Sequence, residues 1–347
     1  MRRSSSFSSI LVALAVVGGA ACAHAGRAAS VASVSTTPQS SATSAAQSQN
    51  FITVEGADLN AKLASATARA RSTNAHTTYW SAYAFDVRPG VAVDPGGGEF
   101  HGSMNNSGNT TVFVGTSNGM TVETRNLGVF LLRDANSSAI SRVEIYNLDR
   151  KREYGGYPVY WMGRAGNDES LNFLRTLAEA APAATRNGGL INEHAALAVA
   201  LHDDARVAAM LKTFVRSSQN MSVRSTAVYW LGQVGGETQF LADLVRNESE
   251  KTDIRRQAAH AIGASRDRAA LTTLQGLYDG LPQTTPGQRD VKRGIIHAVS
   301  DNENKDAATA FLLKVAKTDA DNESRRTAVH ALAEEGRDAV IDDLMSI

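Results

Sequence analysis

Val223–Gly232 reads VRSTAVYWLG, and Ile254–Gly263 reads IRRQAAHAIG. Two further copies follow, VKRGIIHAVS at Val291–Ser300 and SRRTAVHALA at Ser324–Ala333. Their first residues lie 31, 37 and 33 positions apart. Self-similarity at that period marks stacked supersecondary units. The longest interval carries Leu281-Pro282-Gln283-Thr284-Thr285-Pro286-Gly287, a loop insertion.

Each copy reads as one helix of a pair. In the second copy Asp253 is a candidate N-cap, and Ile254, Ala258, Ala261 and Ile262 line one face. Gly263 falls at the helix end, where a left-handed residue is favoured. A following helix places Ala270, Leu271, Leu274 and Leu277 at burial spacing. Ala227, Ala258 and Ala259 are small enough for neighbouring helices to approach closely. A lone pair of this kind leaves one side exposed, and stacking the pairs makes a continuous core.

The recurring apolar-Arg-x-x-Ala-x-x-x-(Leu/Ile)-Gly pattern resembles the HEAT repeat superfamily, the armadillo-type helical repeats. It resembles especially the short HEAT-like repeats also found in phycobiliprotein lyases. The resemblance covers roughly residues 156–347, with Ser300 and Ala333 replacing the glycine in later copies. It implies a mainly α fold, a superhelical α-α solenoid of about five to six helix pairs, and leaves activity open. Val159-Tyr160-Trp161-Met162-Gly163 nearly repeats Val228-Tyr229-Trp230-Leu231-Gly232, so Tyr157–Gly163 is read as the opening of the first repeat.

Upstream, residues 51–155 read as a β-rich domain with one helix. Leu59, Leu63, Ala66 and Ala70 set that helix. Tyr79, Ser81, Tyr83, Phe85 and Val87 alternate at period two. Further strands are expected at Thr111–Gly115, Met120–Arg125, Gly128–Leu132 and Ile140–Tyr146, with His101 to Thr110 as a polar loop. Together these give a small antiparallel meander.

The first 25 residues read as a signal peptide: Arg2 and Arg3, an apolar run from Ile10 to Val17, then small residues to Ala25. Cleavage after Ala23-His24-Ala25 and lipidation at Cys22, after Ala20-Ala21, are alternatives. Residues 26–50, mostly Ala, Ser, Thr and Gln, read as a flexible tether. The expected location is therefore the periplasm or cell envelope. Cys22 is the one cysteine, which leaves the rest of the chain without disulfides. No later apolar run is long enough to span a bilayer.

Lys+Arg and Asp+Glu both number 35, so net charge gives no pull toward nucleic acid. Gly115-Thr116-Ser117-Asn118-Gly119 matches a serine-nucleophile elbow, but strands are expected on both sides and Asn118-Gly119 favours a hairpin. His260, His297 and His330 recur at one position. Equivalent positions on stacked helices lie about 8–10 Å apart, too far for two rings to share one ion at about 2 Å. The His-Glu pairs of the metal-hydroxylase branch of HEAT proteins are missing. Asp319-Ala320-Asp321-Asn322-Glu323 lacks the glycine and the closing glutamate of a calcium loop. Trp161 and Trp230 read as packing residues.

Arg224, Arg255, Lys292 and Arg325, with Arg256, Arg293 and Arg326 beside them, form a basic ladder. It is a candidate partner-binding surface, and acidic neighbours such as Asp253, Asp290 and Glu323 offer a structural alternative. The reading that follows is an exported, non-catalytic scaffold for an unidentified protein partner, without cofactor or metal. The alternative is an enzyme, either a hydrolase using Ser117 or a chromophore-lyase type.

Overall fold

The computed structural model describes residue 42 and residues 49–73, 77–95, 100–107, 110–117, 120–181 and 188–334. The expected signal peptide with Cys22 and most of the expected tether lie outside the described residues. The chain is mainly helical, with an N-terminal mixed sheet.

The first sheet holds β1 (Ile52–Thr53), β2 (Thr78–Ala84), β7 (Leu127–Asp134), β8 (Ile140–Asn147) and β9 (Val159–Arg164) in the order β1-β9-β2-β7-β8. β9 pairs parallel with both β1 and β2, while β2-β7 and β7-β8 are antiparallel. A second, antiparallel sheet runs β3 (Ala92–Val93), β5 (Thr110–Ser117), β4 (Phe100–Ser107), with β6 (Met120–Thr121) on β5. Helix α1 (Leu59–Thr73) buries Leu59, Leu63, Ala66 and Ala70.

Three expectations are corrected here. The sheet is mixed and not a plain meander. His101 to Thr110 is not a loop, because β4 and the start of β5 fill it as a hairpin. Tyr157–Gly163 does not open a helical repeat, because Val159–Arg164 is a strand. The cause is local. Tyr154, Gly155 and Gly156 all have positive φ, and Pro158 keeps Tyr157 extended at φ −83, ψ 145. β9 then alternates: Tyr160 and Met162 join the core shared with the helices, while Val159 and Trp161 join the opposite cluster around Trp80 and Phe130. Ala42 is buried in that second cluster, and Gln49 donates to the Leu148 carbonyl. These two residues of the 26–50 segment are therefore held by the sheet.

The helices follow as α2 (Asn167–Glu179), α3 (Gly188–Ala200), α4 (Val207–Ser217), α5 (Met221–Val234), α6 (Thr238–Arg246), α7 (Thr252–Gly263), α8 (Ala270–Gly280), α9 (Pro286–Ser300), α10 (Lys305–Thr318) and α11 (Asn322–Glu334). α3 packs on β8, and α3, α5, α7, α9 and α11 pack in succession. Starts are set by capping. Asn220 caps α5, and Thr285 with Gln288 forms a capping box ahead of Pro286 in α9. The insertion Leu281–Gly287 thus ends inside α9. Asp253 is not the cap of α7: Lys251 is, and Asp253 sits in the first turn, where a carboxylate complements the helix dipole.

Gly232 and Gly263 are spacers. Neither has a positive φ, contrary to the expected left-handed end for Gly263. A Cβ on Gly232 would overlap the Ala261 carbonyl of α7, and one on Gly263 would overlap the Ala298 carbonyl of α9. Each glycine lets the next helix backbone come into contact. The expected result is that Gly263→Ala lowers unfolding free energy by about 2 kcal/mol. Gly276→Ala, in α8 with open space around it, raises it by about 0.5 to 1 kcal/mol. Urea unfolding of both variants tests the pair, and equal effects would contradict the spacer role.

Candidate functional site

The basic ladder divides into two sets that face different ways. The inner set turns back on the preceding helix. Arg224 Nε donates to the Val215 carbonyl at 2.8 Å, in the last turn of α4, and Nη2 pairs with Glu250 at 2.5 Å. Arg255 Nε donates to the Val245 carbonyl at 2.8 Å, in the last turn of α6. Arg325 Nη1 donates to the Asp319 carbonyl at 2.6 Å, just past α10. The last carbonyls of a helix have no partner within it and carry its negative end, so a guanidinium there is doubly favoured. Lys292 lacks the fork. Its ammonium lies 4.1 Å from the Tyr278 ring centroid, and burial lowers its pKa against the pull of Asp319, Asp279 and Asp321. Of the candidate surface, these four residues serve the fold.

The outer set stays at the surface. Arg326 pairs with Glu323 at 3.2 Å and Arg293 with Asp290. Arg256 is 3.9 Å from Asp253 and its stem lies across Gly294, where a Cβ would meet Arg256 Cγ at 3.2 Å. Arg256 lines a groove of about 610 Å3 along α5, α7 and α9, together with Ser222, Ser225, Gln257, His260 and His297. His260 Nδ1 is 3.4 Å from an Asp301 carboxylate oxygen. His297 and His330 are exposed. Of the histidine row, His260 and His297 line the groove. Among the described residues no group of three His, Cys, Asp or Glu side chains is placed to hold a metal ion.

Ser117 ends β5 and pairs with Met120 of β6, so a strand and not a helix follows the Gly-x-Ser-x-Gly motif. Asn118 and Gly119 lie outside the described residues. A serine–histidine pair does exist elsewhere, at residues that spacing gave no reason to connect. His202 Nδ1 donates to the Ala198 carbonyl at 2.7 Å. That leaves Nε2 to accept from the Ser170 hydroxyl at 2.8 Å, and Ser170 Oγ lies 3.0 Å from the Tyr83 hydroxyl. The imidazole stacks on Phe85, with centroids 4.3 Å apart. Ser170, His202 and Tyr83 are all buried. The network therefore ties α2, the end of α3 and β2 together in a place closed to substrate.

No family model and no curated protein matches this chain. Among solved structures, human deoxyhypusine hydroxylase in complex with glycerol is similar at 18% identity over 52% of this chain and 67% of that one, with a TM-score of 0.25. No described helix is long and apolar enough to cross a membrane.

Burial is the main cause that pushes His202 down to about 4 from its ordinary 6.5. An unfolded chain then binds the proton more readily at any pH between those values. The His202 contribution is complete above pH 6.5 and is lost as pH falls toward 4. Unfolding free energy measured across that window is expected to drop, with the slope reduced in His202→Gln. In a second comparison at pH 7, Arg255→Ala costs about 2 to 3 kcal/mol, while Arg256→Ala stays within about 0.5 kcal/mol.

Proposed function

We propose that this chain is an exported HEAT-like solenoid that acts as a protein-binding scaffold, with the α5–α7–α9 groove as its binding face. One observation carries the reading. Successive helices α5, α7, α9 and α11 pack side by side at matched positions, so exposed residues of one helix recur beside those of the next. Arg256, His260 and His297 become neighbours in this way. A repeat array of this kind presents an extended surface whose width grows with repeat number. The groove mixes polar side chains with the apolar Met221 and Ile254, which suits recognition of a protein segment.

Export rests on the sequence of Arg2–Ala25, with anchoring through Cys22 or release by cleavage as its two forms. A tether between the membrane end and Phe51 fits either form. The partner is a protein that meets a groove carrying Arg256 beside Asp253, with Gln257, His260 and His297, so hydrogen-bonding, amide-rich segments suit it.

Affinity capture from an envelope fraction tests the reading, with the full chain compared against Arg256→Glu/His297→Glu. The expected outcome is a reproducible partner held by the unchanged chain and lost from the double variant. Ester hydrolysis that disappears in Ser117→Ala, or a coloured cofactor retained on purification, would replace the scaffold by an enzyme.

A further inference from the structure

A cleft of about 550 Å3 lies where the loop after β2 meets the loops after α5 and α7. It is separate from the α5–α7–α9 groove and shares none of its lining residues. Arg88 enters from the sheet side, Gly235 and Gly236 from the loop after α5, and Arg266, Asp267 and Arg268 from the loop after α7.

Its charge is uneven: three guanidinium groups and one carboxylate. Arg88 Nη2 donates to the Gln233 carbonyl at 2.8 Å, but its Nη1 is buried and makes no hydrogen bond. Burial and the like charge of Arg266 both act against the Arg88 cation, and Asp203 acts for it. Arg266 and Arg268 are exposed and form no ion pair among the described residues. Asp267 is already engaged, since one oxygen accepts from the Ala269 N–H at 2.9 Å and the other from the Thr238 hydroxyl.

The backbone shapes the same cleft. The two lining loops lead straight into α6 and α8, and neither Glu237 nor Ala269 caps its helix with a side chain. Asp267 already meets the Ala269 N–H and the Thr238 hydroxyl at these two helix starts. Gly235 and Gly236 have φ of 83° and 74° and open space where a Cβ would stand. A ligand can come close to the main chain there.

We propose that this cleft binds a phosphate monoester. A dianion matches the excess of two positive charges, which a single carboxylate would leave half unmet. A tetrahedral oxyanion has enough acceptors for both exposed guanidinium forks, of Arg266 and Arg268. The cleft is larger than a phosphate ion, so the ester group has room beside it.

Isothermal titration of the full chain with inorganic phosphate, phenyl phosphate and acetate, at matched ionic strength, tests this. Both phosphates should bind saturably, phenyl phosphate more tightly, and acetate not at all. Arg266→Gln/Arg268→Gln, both at exposed positions, should weaken phosphate binding by about tenfold or more. Arg88→Lys should weaken it too, and Arg256→Gln in the other groove should leave it unchanged. Equal heats for acetate and phosphate, or unaltered binding in the Arg266/Arg268 double variant, would overturn the site. Phenyl phosphate binding no tighter than inorganic phosphate would overturn the ester assignment.

Discussion

Backbone contact between successive helices is the constraint on which the helical part depends. At Gly232 against Ala261, and again at Gly263 against Ala298, no Cβ fits between one helix and the next. That contact fixes how near the helices lie and therefore which side chains point inward. Within each pair, Arg224 and Arg255 reach the last carbonyls of α4 and α6. The same spacing brings Arg256, His260 and His297 to one groove. Ser300 occupies the glycine position of the next copy, so the glycine spacer serves the α5–α7 and α7–α9 junctions.

Much of the helical part is legible in the chain because its signals are local. The four copies and their Ala positions read directly off the chain, while the Thr285–Gln288 box is equally local but falls at the end of the stretch read as a loop insertion. The inward turn of Arg255 was one of two readings that local pattern left open, since its choice depends on where the Val245 carbonyl ends up. The Ser170–His202–Tyr83 network was not legible at all. Its three members come from α2, the end of α3 and β2, and only the packed fold brings them within hydrogen-bond reach. The cleft around Arg88 is of the same kind, assembled from three loops far apart in the chain.

The pentapeptides at Val159 and Val228 show where local pattern fails. One is a strand and the other lies inside a helix, although four of five residues are identical. In α5, Val228 through Leu231 all enter one core. In β9 the equivalent residues split between two cores on opposite faces of the sheet. Flanks decide the outcome: Pro158 and two positive-φ glycines before one, and the Asn220 cap before the other.

The position of β9 also orders events during synthesis. β1 pairs with β9 alone in the sheet, and β2 has β9 as its second neighbour. Until Val159–Arg164 leaves the ribosome, β1 has no strand to join and one side of β2 stays open. Open strand sides invite pairing with other chains. β1 thus waits for its partner through the making of more than a hundred residues, and the sheet closes just before α2 emerges.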